Sequence, residues 1–320
     1  MDRDRKLDSL KGFLIVLVIL GHVIGEGNQD ILNKYFRMFI YTFHMPLFIL
    51  ISGYFMKIND DVKRFWKRLL NIAVPLCVFQ GINILSHYFI YGHVSKMMII
   101  VPYWTLWYLL SLIFWKIILQ YSPKTLLNHP LLYIVGALVI SVFCGLLPFS
   151  RILSIQRTIN FFPFFLLGYY LKQNGSILTN YKCKNIIYIG FICIVVLLIS
   201  FDLYPEKQNI LLKGADVYEL NDIPAKIYML ICSFVVSISI YKLSKENIIL
   251  ARIGENSLFY YLYHGLLIEF ILYPIIIYLD LPQTLFFKIL YTLFVISLIL
   301  GLRKIKFFNW LINPIEKYIG

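Results

Sequence analysis

Residues 7–26 read LDSLKGFLIVLVILGHVIGE. Between Gly12 and Gly21 no side chain is polar. A helix needs about 20 such residues to cross a bilayer, so this run is read as a membrane span over about 9–26. Working outward, comparable runs lie at 36–56, 69–91, 103–121, 130–148, 157–171, 185–203, 223–243, 256–279 and 282–303. The expected fold class is therefore all-α, a polytopic integral membrane protein with about ten transmembrane helices in a single domain over 1–320. The second run contains His44-Met45-Pro46, where the proline is expected to interrupt and kink the helix. Residues 303–320 alternate basic and aromatic side chains and are expected to lie along the membrane surface as an interfacial tail.

Composition points the same way. Of 320 residues, 60% are hydrophobic and 15% charged, against about 45–50% and about 25% in soluble domains. The mean hydropathy is +0.75. A soluble chain of this size could not cover its surface with so few polar groups, which excludes a soluble enzyme, a disordered chain and a disulfide scaffold. The five cysteines show no CxxC spacing and read as apolar filler. There is no HExxH or Cys/His cluster and no Walker or Rossmann glycine loop, so neither a metal nor a nucleotide-loop cofactor is expected. The first run has no small-x-small cleavage site and more spans follow it, so it is expected to remain as a span.

The net charge of +13 is an orientation signal. With the N-terminus in the cytoplasm, twenty Lys and Arg fall in cytoplasmic segments and nine on the opposite side, with Lys116 inside a span. Basic loops stay on the cytoplasmic side, so both termini are expected there and no nucleic acid partner is needed to explain the charge.

Ionisable groups inside spans are costly and are read first as functional. His22 lies deep in the first span. Lys11 is eleven positions earlier, three helical turns down on nearly the same face. His44 is expected near the depth of His22, since its span runs the other way, and the two would line a polar cavity. Gly53 on the same helix permits close helix approach. His264 is the third buried histidine, with Glu269 five positions on, whereas His87, His93 and His129 sit near span ends. The cluster Lys63-Arg64-Phe65-Trp66-Lys67-Arg68 anchors the third span on the cytoplasmic side. Its guanidinium forks also suit a polyanionic cofactor. Arg157 opens the sixth span, as a snorkelling anchor or as a group that orients an acceptor hydroxyl.

Several motifs in this order carry a resemblance. They are Leu7-Asp8-Ser9-Leu10-Lys11-Gly12 with Gly21-His22; Phe43-His44-Met45-Pro46-Leu47-Phe48 with Ser52-Gly53-Tyr54; Lys67-Arg68-Leu69-Leu70 before Pro75; Trp107-Tyr108-Leu109; Phe162 to Tyr169; and Ile253-Gly254 with Asn256-Ser257-Leu258 leading to His264. Together they resemble the acyltransferase family 3 membrane proteins, in the branch of fucose 4-O-acetylase-like and surface-polysaccharide O-acetyltransferases. The resemblance implies transfer of an acetyl group from cytoplasmic acetyl-CoA to a hydroxyl of a cell-surface or lipid-linked glycan, in a bacterial plasma membrane. The family's arginine-x10-histidine motif maps to Lys11 and His22. Its arginine-xx-arginine motif maps to Arg68 and Asn71, so the second arginine is absent and Lys67 or Arg64 is expected to compensate. No hydrolase-like domain of the kind some relatives carry is expected within residues 1–320, which would leave completion of the transfer to the membrane domain or a partner.

On this reading His22 deprotonates the acceptor hydroxyl, or carries the acetyl transiently as acetyl-His22. Lys11 holds the thioester end or the phosphates of CoA, and Arg64, Lys67 and Arg68 bind its nucleotide phosphates. His44 and Arg157 stabilise the oxyanion or place the sugar, Trp107 stacks on the sugar ring, and His264 completes the acceptor site. Two other classes fit ten helices with buried histidines: a transporter or flippase for a glycan, and an accessory subunit of a polysaccharide assembly system. The first should show inverted repeats, of which one broken helix is the only trace. The second should tolerate loss of His22.

Overall fold

A computed structural model of the chain describes residues 4–25, 30–59, 61–146, 152–173, 184–203, 218–312 and 314. Among these residues all regular structure is helical, with no strand. The principal helices are α1 (Arg5–Ile24), α2 (Ile31–Tyr54), α3 (Val62–Tyr91), α4 (Trp107–Gln120), α5 (Pro130–Phe143), α6 (Ile155–Gln173), α7 (Asn185–Ser200), α8 (Ile223–Leu243), α9 (Ile248–Glu255), α10 (Ser257–Leu267), α11 (Tyr273–Tyr278), α12 (Leu285–Arg303) and α13 (Lys306–Ile312). The residues between α10 and α11, Ile268–Leu272, form a π-helical turn.

Each of the ten apolar runs contains a helix. Among the described residues, seven helical segments are long and apolar enough to cross a membrane: Arg5–Ile24, Ile31–Tyr54, Val62–Tyr91, Met97–Gln120, Leu220–Leu243, Ser257–Tyr278 and Leu285–Arg303. Pro130–Leu146 and Asn185–Ser200 are shorter. Helix α6 falls outside the seven because its first turns carry Gln156, Arg157, Thr158 and Asn160.

The first three helices begin earlier than their apolar runs. Asp4, Asp30 and Asp61 accept from the backbone N–H of Leu7, Leu32 and Arg64 at 3.1, 2.9 and 3.1 Å, and so satisfy first-turn donors that would otherwise lack partners. The cluster 63–68 therefore belongs to the first two turns of α3. The interruption expected at Pro46 is corrected: α2 runs unbroken through it. In the tail, α13 presents Phe307 and Trp310 at the surface, while residues 313 and 315–320 lie outside the described residues. So do Arg3, Arg151, Lys182, Lys207, Lys213 and Lys317, which entered the orientation count, together with Cys183 and most of the two long polar connections.

Two glycine-mediated contacts set the core. A Cβ on Gly12 would lie 1.9 Å from the Leu250 carbonyl oxygen, and one on Gly254 would lie 1.8 Å from that of Asp8. Helices α1 and α9 thus touch backbone to backbone. Ser9 Oγ donates to the Asn247 carbonyl at 3.0 Å, and Asn247 caps α9 with its own side chain. The second contact joins α2 and α6: a Cβ on Gly53 would meet the Phe165 oxygen at 2.0 Å, and one on Gly168 the Leu50 oxygen at 1.8 Å. Close approach by small residues is what stabilises helix pairs where lipid supplies no hydrophobic drive.

A polar layer crosses α4, α5, α6 and α8. Thr158 donates to Ser111 at 2.8 Å, the Trp115 indole donates to the Thr158 carbonyl at 2.7 Å, and Ser141 donates to the Asn160 carbonyl at 2.9 Å. Lys226, 1% exposed, donates to the Asn160 side-chain oxygen. Asn160→Leu removes that acceptor from a buried ammonium. The expected cost is about 1–3 kcal/mol, read as a lower melting midpoint of the detergent-solubilised protein, and an unchanged midpoint would refute it.

Candidate active site

The last turns of α1 carry His22, and three elements converge on it. The ring centroid of Trp104 lies 4.8 Å away, edge-on, and that of His264 on α10 lies 5.4 Å away at a tilt of 35°. The Tyr273 hydroxyl donates to the His22 carbonyl at 2.6 Å. Trp104 holds its place with φ +28, a region that is strained for a bulky residue. Its neighbours hold it there. Tyr103 N–H donates to Gln80 at 2.8 Å, and the Tyr261 hydroxyl donates to the Thr105 carbonyl. Gly265 lets Thr105 in, since a Cβ there would meet its hydroxyl at 2.9 Å. The strain thus keeps an indole edge on an imidazole.

His264 is fully buried. Its Nδ1 faces the carbonyls of Tyr261 at 2.6 Å and Tyr260 at 3.1 Å. A carbonyl only accepts, so Nδ1 carries the proton and Nε2 the lone pair. Nε2 has no hydrogen-bond partner among the described residues.

Arg157 and Trp107, expected to meet the acceptor, lie together: the guanidinium sits 5.1 Å above the indole, which also stacks on Phe161 at 5.4 Å. The Trp107 ring meets that of Tyr108 at 6.4 Å, and Tyr108 meets Tyr261 at 5.3 Å. The Tyr261 ring lies 5.7 Å from that of His264, and Tyr41 packs against Gly21 beside His22. Arg157, Trp107, His264 and His22 therefore border one region of the bundle. Next to it, Glu269 on the π-helical turn accepts from the Tyr103 hydroxyl. Such turns recur at functional sites.

The structure corrects the expected level of His44 and places Lys11 and the basic cluster. First, Arg37 donates to the Gly25 carbonyl at 2.9 Å and Ile40 and Tyr41 pack on Gly21, a register that puts His44 about one helical turn from the level of His22. Its ring packs on Tyr41 at 4.8 Å, and its Nδ1 donates to the Ile40 carbonyl at 2.7 Å. The imidazole paired with His22 is that of His264. Secondly, Lys11 lies three helical turns from His22 along α1, about 16 Å at about 1.5 Å per residue, as its spacing in the sequence implies, and it pairs with Asp8 at 2.7 Å. It is a partly neutralised cation remote from the imidazoles. Thirdly, Arg64 and Lys67 are exposed and do not line the nearby cavity, whereas Arg68 does.

That cavity, of about 310 Å³, is walled by Phe55, Met56, Lys57, Asn59, Phe65, Arg68, Leu69 and Lys116. Asn59 braces it, with its N–H donating to Gln120 at 3.1 Å and its side-chain oxygen accepting from Arg68 at 3.3 Å. Lys11 and Lys172 lie over the Phe55 ring at 5.3 and 5.8 Å. Lys57, Lys116 and Lys172 were not singled out from the sequence as site residues. For Lys116 the signal was present, a charge inside an apolar run. For Trp104 no sequence signal separated it from other aromatics near span ends.

Fold and site together define a polytopic helical membrane protein with a buried pair of imidazoles and, at the end of the bundle where α1 begins, a cation-lined cavity. The chain belongs to acyltransferase family 3, whose acyltransferase domain matches residues 4–302. It is 29% identical over 242 residues to the nodulation protein NolL of Sinorhizobium fredii, a match covering 69% of this chain and 61% of that protein. It is 50% identical over 58 residues to the nodulation protein NolL of Mesorhizobium japonicum, covering 17% of this chain and 15% of that protein. The matches thus span about three-fifths of the first relative and a smaller part of the second. No solved structure matches the chain significantly.

Proposed function

We propose that the chain is a membrane O-acetyltransferase of a bacterial plasma membrane. It moves acetyl from cytoplasmic acetyl-CoA to a hydroxyl of a cell-surface or lipid-linked glycan. The observation that carries this is the imidazole pair, His22 and His264 at 5.4 Å, inside a bundle whose family transfers acyl groups. In this reading residues 1–320 act as one domain, and both termini face the cytoplasm with the basic cavity.

An alcohol needs its proton removed as it attacks a thioester, and imidazole suits that task near neutral pH. His22 takes the proton of the acceptor hydroxyl. Arg68, Lys57 and Lys116 hold the CoA phosphates in the cavity, with Lys116 in place of the arginine missing at Asn71. The pantetheine arm then runs along α1, past the Lys11–Asp8 pair, to bring the thioester up to His22. Arg157 and Trp107 face the acceptor.

Membranes of the native cells, given radiolabelled acetyl-CoA, should transfer label to their own glycan in proportion to the amount of this protein. Transfer that continues undiminished after deletion of the gene would overturn the reading. Lys116→Met should raise KM for acetyl-CoA about tenfold or more, with kcat little changed, because a charge-assisted bond is worth about 1.5–3 kcal/mol. Titrating acetyl-CoA in the same assay separates the two constants, and an unchanged KM would remove Lys116 from the phosphate site.

A further inference from the structure

We propose that His264 positions His22, its Nε2 accepting the ring N–H of His22 and thereby holding the opposite, unprotonated nitrogen toward the acceptor hydroxyl. This rests on the function proposed above and adds a residue role to it.

His264 is 0% exposed, and its Nε2 has no hydrogen-bond partner among the described residues. Leaving a buried acceptor unsatisfied costs about 1–3 kcal/mol, and such exceptions call for an explanation. The tautomer is decided locally. Two main-chain oxygens of the same helix face Nδ1, at 2.6 and 3.1 Å, so Nδ1 is the donor and Nε2 can only accept. Nε2 lies on the far side of the ring from those carbonyls, away from its own helix.

The neighbouring ring is His22. Two imidazoles joined edge to edge by an N–H···N bond of about 2.9 Å have centroids about 5 Å apart. The observed separation is 5.4 Å with a tilt of 35°. A small rotation of His22 therefore makes the bond. Trp104 stands against the same His22 ring at 4.8 Å, and its strained backbone is held from both sides, which restricts how far that ring can turn.

The chemistry then closes. The acceptor O–H proton passes to the lone-pair nitrogen of His22 as the hydroxyl oxygen bonds to the acetyl carbonyl carbon. The C–S bond of the thioester breaks, and the departing CoA sulfur takes a proton from the His22 imidazolium. Throughout, His264 keeps the second N–H of His22 engaged and itself neither gains nor loses a proton. A backbone-anchored neutral imidazole thus fixes the tautomer of the base.

Two substitutions separate this role from a merely structural one. His264→Asn keeps a donor for the Tyr261 carbonyl but has no atom at the Nε2 position. His264→Gln places an amide oxygen near Nε2. In native-cell membranes with radiolabelled acetyl-CoA and the endogenous glycan, H264N is expected to lower kcat about a hundredfold. KM for acetyl-CoA should stay within twofold and the melting midpoint should be unchanged. H264Q is expected to recover about tenfold over H264N. The proposal is overturned if H264N transfers within twofold of wild type, if H264Q is no better than H264N, or if both variants lose folding or acetyl-CoA binding. Transfer by the wild type with H264N unaffected sinks this inference alone. No transfer by the wild type sinks the proposed function and this inference with it.

Discussion

His22→Ala abolishes acetyl transfer, by about a thousandfold or more, while the protein still accumulates in the membrane at the wild-type level. General base catalysis contributes roughly a hundred- to ten-thousandfold, and no other side chain of α1 near this level titrates in the useful range. The fold should survive. The His22 ring is only half-buried, it meets Trp104 and His264 through their rings, and the bond from Tyr273 goes to its main-chain carbonyl, which alanine retains. The measurement pairs label transfer with size-exclusion profiles of the detergent-solubilised variant. Activity within tenfold of wild type, at equal folded protein, would remove His22 as the base. An accessory subunit, the rival reading, would tolerate the change.

The second large effect is on folding. Gly168→Leu should yield no monodisperse protein after detergent extraction. At this site a Cβ alone would lie 1.8 Å from the Leu50 oxygen and 2.9 Å from the Tyr54 nitrogen. Both atoms are main chain and cannot rotate away, so α2 and α6 must separate. Overpacking a close contact costs about 1–3 kcal/mol and more where nothing yields. Separation also pulls Ser52 from the Tyr108 hydroxyl, now 2.7 Å apart. Gly190→Leu on α7 is the control, because nothing lies within 4 Å of its Cβ position. A G168L protein with a wild-type elution profile and midpoint would show that the helices accommodate the side chain.

These results also give physical content to motifs that otherwise read only as a resemblance. Ser9, Gly12 and Gly254 join α1 to α9, and Ser52, Gly53, Tyr108 and Gly168 join α2 to α4 and α6. Both contacts fix the helices that border the imidazole pair. His22 sits on α1, and α2 supplies Tyr41. A displacement of either helix moves the chemistry, so such positions are expected to affect activity without touching a substrate.

The sequence by itself determined the helices. A bilayer leaves a backbone no way to satisfy its N–H and C=O groups except within a helix or a closed barrel, so length and hydropathy sufficed to place a helix in each run, although among the described residues seven segments are long and apolar enough to cross. It also marked His22, because an imidazole in apolar surroundings is conspicuous, and Arg68, because it closes a basic cluster ahead of an apolar run. It misplaced the helix starts by four to seven residues, since caps such as Asp61 hold polar turns that hydropathy does not register. Which groups meet was another matter. His44 was matched to His22 from span depth alone, whereas the register between α1 and α2 depends on Gly21 lying against Ile40 and Tyr41. His264 is 242 positions from His22 and adjoins it because α1 packs on both α9 and α10. Periodicity reports what each helix shows its surroundings. Only the packing of small residues between helices decides which faces share a site, and that information lies in pairs of distant residues.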